Sequence, residues 1–265
     1  MSSLYWFWNA PPVTRTFVAA AFIESVLCHG GLISPMRVIF YRPWLFKLLP
    51  DIWRLATPFL LTSGGLGFIL DLYFLWTYGT GLELNSPRFG QPGDFFTYLV
   101  FVCSAIMATA GLLLEGHIFT HALALALAYT YATDNRGKRV TFVIIQIPVE
   151  YLPWAMITVT LVMSGWPAAL QEGMGIIAAH LYDFLTRLYP TFQGGRNWIQ
   201  TPAFVARAFG DDRSAFSHKP YGTSFRAAAA RPAGQQGGSS SSSGWTSALG
   251  GTWGGRGAGR RLGGG

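Results

Sequence analysis

The chain has 265 residues, 51% of them hydrophobic and only 12% charged, and its mean hydropathy is +0.32. Soluble domains carry about 25% charged residues, so this balance excludes an ordinary soluble enzyme or binding module and predicts a helical protein that crosses the membrane several times. The formal charge of +7 is concentrated in the tail and two short stretches, a pattern that fits membrane orientation and not a nucleic-acid partner.

Residues 1–15 (MSSLYWFWNAPPVTR) show no basic segment ahead of a short apolar core, so a signal peptide is not expected. Tyr5, Trp6, Phe7 and Trp8 predict a cytosolic interfacial segment lying on the bilayer, broken by Pro11-Pro12. A first span is expected over about 16–32, carrying Glu24, Cys28 and His29. An acid such as Glu24 in a span either snorkels or faces the bundle. Cys28 and Cys103 both fall in expected spans and read as small apolar fillers.

Residues 33–55 are long, aromatic and basic, with Arg37, Arg42, Lys47 and Arg54. A loop this apolar should lie partly in the interface, and Trp53-Arg54 suits a membrane–water boundary. The second span is expected over about 57–78, with Asp71 inside it. A carboxyl group at that depth is costly and faces protein or a wet cavity. Ser-Pro and Gln-Pro-Gly mark 85–94 as a turn.

A third span over about 95–114 leads through Glu115-Gly116-His117 to a fourth over about 118–132. The sequence DNRGKR at 134–139 is a compact basic loop. The fifth span, 140–163, contains Glu150 and is expected to kink at Pro148 and Pro153. Residues 164–172 then connect to a sixth span over about 174–188. Beyond about Phe225 an alanine run, QQGGSSSSSG and glycine with arginine predict a disordered tail.

Counting Lys and Arg sets the orientation. With a cytosolic N-terminus and six spans, the cytosolic side holds Arg15, Arg88, Arg136, Lys138, Arg139 and every basic residue from Arg187 onward. The opposite side holds only the four of the 33–55 loop. Both termini are then expected in the cytosol.

Several groupings could carry chemistry. Ala178-Ala179-His180-Leu181-Tyr182-Asp183 is similar to the Ala-His-x-x-Gly of rhomboid proteases, which hold a catalytic histidine at this position. Asp183 stands in place of that glycine. The expected nucleophile, a serine in a Gly-x-Ser-Gly turn at the start of the fourth span, has no counterpart in Gly116-His117-Ile118-Phe119. Ser25, Ser63, Ser104 and Ser164 lack that local context, so a histidine without its nucleophile predicts no protease. His117 and His121 are four apart and could share a helical face, but two histidines without a third ligand read as polar residues at a helix end. His180, Asp183 and Arg187 share a face, and Asp183 can pair with Arg187. With Asp71 and Glu150 they predict either a hydrated interior or mutual pairing. Gly175 and Ala179 form a small-xxx-small spacing that lets two helices approach closely.

Taken together, the chain resembles the Derlin family, rhomboid-like pseudoproteases of endoplasmic-reticulum-associated degradation, from Pro11-Pro12-Val13-Thr14-Arg15 to about Phe209. The residues that carry the resemblance include Gly31-Leu32-Ile33-Ser34-Pro35, Ile52-Trp53-Arg54-Leu55, Leu72-Tyr73-Phe74-Leu75, and Leu82-Glu83. Tyr151-Leu152-Pro153-Trp154, His180-Leu181-Tyr182, Gly194-Gly195-Arg196-Asn197-Trp198, Thr201-Pro202 and Phe204 complete the series. The family's Trp-Arg motif falls on Trp53-Arg54, and its sixth-span Gly-x-x-x-Gly on Gly175 and Ala179. A tail motif that binds the ubiquitin-selective AAA ATPase (valosin-containing protein in animals) matches Gly257, Gly259 and Leu262, with Trp253 as an aromatic farther upstream.

The resemblance implies an all-α membrane protein: a six-transmembrane-helix rhomboid-like bundle over 16–209, with a partly membrane-embedded first lumenal loop and a disordered cytosolic tail over 210–265 bearing the ATPase motif at 253–263. It implies a non-catalytic endoplasmic reticulum protein that forms a half-channel or lateral gate for retrotranslocation; the alternative is an adaptor that only recruits the ATPase. Misfolded substrates, that ATPase, a HRD-type ubiquitin ligase complex, membrane lipid and homo- or hetero-oligomers are the implied partners. No cofactor or metal is expected. Asp71, Glu150, His180 and Asp183 are expected to keep the interior wet.

Overall fold

The computed structural model describes residues 8, 10–45, 51–90, 93–142, 145–189, 191, 199 and 201–209, all within the unit Met1–His218. The expectations placed on Lys47, on Gly194 to Trp198 and on the tail, with Trp253, Gly257, Gly259 and Leu262, lie outside the described residues.

Six principal helices form the bundle. They are α1 (Pro12–His29), α2 (Leu66–Asn85), α3 (Asp94–Ile106), α4 (Thr120–Asp134), α5 (Leu152–Ser164) and α6 (Trp166–Asp183). The helices α3 and α6 continue as π-helical turns, Met107–Gly111 and Phe184–Leu188. A short α7 (Ala203–Ala208) follows. Prolines open α1, α5 and α6, where a missing N–H costs nothing. Between α5 and α6 stands the single residue Gly165, whose φ of 83° is open to glycine at no steric cost.

Specific contacts set the helix directions. His121 meets Asp71 near the start of both α4 and α2, while Tyr131 meets Tyr78 farther along, so these two helices run the same way. Gly175 lies against Ala122 and His180 against Tyr129, so α6 runs with them. Opposed to them are α1, where Thr14 bonds Glu83 and Ser25 bonds the backbone at Leu60, and α3, where Tyr98 reaches Thr130 and Gly111 lies over Phe119.

The core is centred on α4. Residues 122–128 are all buried, as are Thr120, Thr130 and Ala132. Leu75, Tyr78, Leu82, Tyr98, Val102 and Ile106 pack around them. At the start of α1, Glu83 accepts the Val13 and Thr14 N–H groups at 3.0 and 2.8 Å and the Thr14 hydroxyl at 2.7 Å. It thereby satisfies donors that have no partner inside the helix. Among the described residues, 94–111 is the one helix long and apolar enough to cross a membrane by length and composition, and 149–164 is a shorter apolar one.

The expected fifth span over 140–163 is corrected. Its first half is a β-hairpin, β1 (Arg139–Phe142) paired antiparallel with β2 (Ile145–Pro148), and only α5 is helical. Alternating Val140, Phe142 and Ile147 turn one face of the hairpin onto the core, and Pro148 ends the ladder. The bundle is therefore not all helix. The expected 164–172 connection is also corrected, because Pro167 in its first turn lets α6 begin at Trp166. Helix α2 begins later than expected, at Leu66, because the chain before it is held in two 3-10 turns, Ile52–Leu55 and Thr57–Phe59.

The small-xxx-small spacing finds its partner in α4. A Cβ added to Gly175 would stand 1.9 Å from the Ala122 carbonyl oxygen. Gly175→Val is expected to cost about 1–3 kcal/mol by overpacking, read as a lowered thermal midpoint of the detergent-solubilised protein. An unchanged midpoint would mean that the two helices do not approach this closely.

Candidate functional site

The loop between α1 and α2 is held by its own polar groups. Arg54 is turned inward and buried, donating from Nε to Asp51 at 3.0 Å and from Nη1 to the Ile39 carbonyl at 2.6 Å. Trp53 is exposed and donates its indole N–H to the Arg37 carbonyl at 3.3 Å. The expected pair of boundary residues is thus divided: Trp53 faces outward, and Arg54 ties two stretches of loop together. Phe40 and Phe59 enter the main core beside Phe119. Cys28 packs with Val38 and Leu61 in a smaller cluster.

The loop ends in a polar cluster at the start of α2. Ser25 accepts the Thr62 N–H and hydroxyl, both at 2.9 Å, and donates to the Leu60 carbonyl. Asp71, almost fully buried, accepts the Ser63 N–H at 2.9 Å and faces His121 Nδ1 at 3.2 Å. His121 Nε2 lies 2.6 Å from the Ser63 hydroxyl. Glu172 of α6 is buried nearby, hydrogen-bonded to Thr160 and within electrostatic reach of both Asp71 and His121.

The other expected polar residues gather at the opposite ends of the helices. Arg88, buried, donates to Asp134, to Asp183 at 2.7 Å and to Thr133 at 2.9 Å. Arg187 stands 3.6 Å from Asp183, as the i, i+4 spacing predicts. His180 is exposed, with Tyr129 OH 3.4 Å from its Nδ1. Glu150 is exposed on a 3-10 turn after the hairpin, not inside a helix. It lines a cleft of about 340 Å³ with Tyr129, Thr133, Arg136, Trp154 and Ile176. Asp71, Glu150, His180 and Asp183 therefore do not share one interior. They divide between two ends of the bundle.

One further expectation is revised. His117 precedes α4 and bonds the Phe40 carbonyl, so it shares no helical face with His121. The Ser63–His121 pair is not legible in the sequence, because the two residues stand 58 positions apart in the chain. A short polar turn, Ser63-Gly64-Gly65, eight residues before an acid within an apolar run was the local signal available. Among the described residues, no three His, Cys, Asp or Glu stand together as a metal would need.

The model of the Der1-like family matches residues 10–203. The chain belongs to that family. It is 33% identical to Derlin-1 of Homo sapiens over 207 residues, 76% of this chain and 80% of that one. It is also 30% identical to Derlin-2.1 of Zea mays over 229 residues, covering 81% and 89%, and 29% identical to Derlin-2.2 of Arabidopsis thaliana over 221. Membership implies a role in endoplasmic-reticulum-associated degradation. The matched region takes in both polar ends of the bundle.

Asp183 is thus an ion-pair partner of Arg88. Breaking a buried pair from one side leaves an uncompensated charge and costs about 3–5 kcal/mol. Arg88→Met is expected to lower the thermal midpoint strongly, and Asp183→Asn less, because Asp134 retains Arg88. Equal midpoints for Arg88→Met and the parent protein would refute the buried network.

Proposed function

We propose that the protein is a retrotranslocation factor of endoplasmic-reticulum-associated degradation. It forms a half-channel that moves misfolded proteins from the lumen or membrane of the endoplasmic reticulum to the cytosol. In this reading the six helices all span the membrane, the Ser63–His121 end faces the lumen, and the Arg88–Asp183 end and both termini face the cytosol. The tail residues Trp253, Gly257, Gly259 and Leu262 recruit the ubiquitin-selective AAA ATPase, which supplies the pulling force. His180 takes no part in peptide cleavage.

One observation carries the reading. Helix α5 has 13 residues, about 20 Å of length at 1.5 Å per residue, and even with the 3-10 turn before it, over 149–164, it falls short of a hydrocarbon core of about 30 Å. Its outer side is apolar and exposed at Val159, Val162 and Met163. A wall this short is matched by thinning the bilayer around it. Polar side chains stand at both ends of the bundle, near Asp71 on one side and Glu150 on the other. A thinned membrane flanked by polar groups lowers the barrier to a polypeptide that must carry unpaired backbone groups through lipid.

The test lengthens the wall. A four-residue apolar insertion after Val159 adds about 6 Å to α5. At normal expression it is expected to slow turnover of a misfolded membrane-spanning client, followed by translation-block chase in cells lacking the native chain. Unchanged turnover defeats the half-channel. Truncation after Phe209 is expected to stop extraction while client crosslinking to the helices persists; loss of both favours an adaptor that only recruits the ATPase.

A further inference from the structure

The polar cluster at the start of α2 has a second property that transport does not require. Asp71 Oδ1, His121 Nδ1, His121 Nε2 and Ser63 Oγ form a continuous chain of contacts at 3.2 and 2.6 Å. An ionised carboxylate only accepts hydrogen bonds, so Nδ1 carries the imidazole proton and donates it to Asp71. Nε2 is then left as a base that accepts the Ser63 hydroxyl proton. A serine bonded to a base that is itself oriented by a buried acid is the arrangement that makes a hydroxyl nucleophilic.

The surroundings support the same chemistry. Asp71 is anchored by the Ser63 N–H, so the acid and the nucleophile are fixed to each other as well as to the histidine. Gly67 leaves room for Ser63 over the first turn of α2, because a Cβ there would stand 2.6 Å from the Ser63 Cβ. The first-turn N–H groups of a helix have no intrahelical acceptor and carry partial positive charge. Gly65, two residues after Ser63, is the N-cap of α2, so these groups follow the serine directly in the chain. The His121 side chain is 42% exposed, so the relay opens outward. Leu66 and Ile69 on the adjoining turns are apolar and exposed. Glu172, whose Oε2 has no hydrogen-bond partner among the described residues, lies within electrostatic reach of both His121 and Asp71.

We infer that Ser63 and His121, positioned by Asp71, form an acyl-transfer site that accepts carboxylic esters with an apolar acyl chain. Ser63 Oγ bonds to the ester carbonyl carbon as its proton passes to His121 Nε2. The carbon–oxygen bond to the alcohol then breaks, and the alcohol leaves with that proton. Water, deprotonated by the same imidazole, attacks the acyl-serine, releases the carboxylic acid and returns the proton to Ser63. The exposed apolar side chains beside the relay fit an acyl chain. The described hairpin stacks Phe142 on Phe74, one turn along α2 from Asp71, so a peptide is the competing substrate that the assay below separates from an ester. This inference does not rest on the transport reading.

The experiment uses the full chain in lipid nanodiscs with a fluorescent alkyl fluorophosphonate, followed by peptide mass spectrometry. Labelling at Ser63 is expected. Ser63→Ala should abolish it, and His121→Gln should slow it about 10²–10⁴-fold. His117→Gln, at the same end but bonded elsewhere, should label like the parent. Ser63→Ala keeps the backbone bond to Asp71, and its thermal midpoint checks that it folds. Nitrophenyl octanoate and nitrophenyl acetate, assayed in parallel, should be hydrolysed with preference for the longer chain. Absence of label on folded parent protein, label at another residue, or labelling indifferent to His121→Gln overturns the site. Cleavage of an unstructured peptide in preference to both esters overturns the assigned substrate class.

Discussion

Helix α4 is the constraint on which the rest of the bundle depends. Its alanines alternate with leucines through the buried stretch 122–128, so its neighbours can come almost to backbone contact. Gly175 does so, with no room for even a methyl group. In a bilayer the hydrophobic effect does not hold helices together, and close packing and hydrogen bonds take its place. The same closeness decides which polar groups meet. With α2, α3 and α6 drawn onto α4, Asp71 reaches His121, Tyr98 reaches Thr130, and Arg88 reaches both Asp134 and Asp183.

The polar groups so arranged serve different ends. Arg88 and its carboxylates neutralise one another, and Glu83 caps α1; these are structural bonds among partly or fully buried groups. The cluster around Ser63 is less closed, with a half-exposed imidazole and a Glu172 oxygen that has no partner among the described residues. The histidine at the rhomboid position, His180, has a tyrosine beside it, whereas the serine–histidine pair forms between other elements. A family resemblance does not carry a shared site, because chemistry follows the placement of individual side chains.

The loop before α2 links these features. Arg54 binds Asp51 and the Ile39 carbonyl, and Thr57 bonds Val38. Those ties bring Phe40 and Phe59 into the core and deliver Ser63 to the start of α2. Without them the nucleophile and its acid would still be neighbours in sequence, but nothing would set the height at which they meet α4.

The apolar composition, the Asp183–Arg187 pairing and the family likeness were all legible in the residues, since each rests on local spacing or on an ordered series of short motifs, whereas Pro153, expected to kink a span, instead opens α5. The helical character of 140–148 was misread, because a short apolar run fits a strand as well as a span and its pairing partner alone decides between them. The inward turn of Arg54 was not legible either; a cation beside a tryptophan reads as an interfacial anchor until a carbonyl from a distant stretch captures it. The partner of Gly175 and the meeting of Ser63 with His121 belong to tertiary structure alone. Both depend on how far α4 lets its neighbours approach, and that distance is a property of packed helices which no one segment contains.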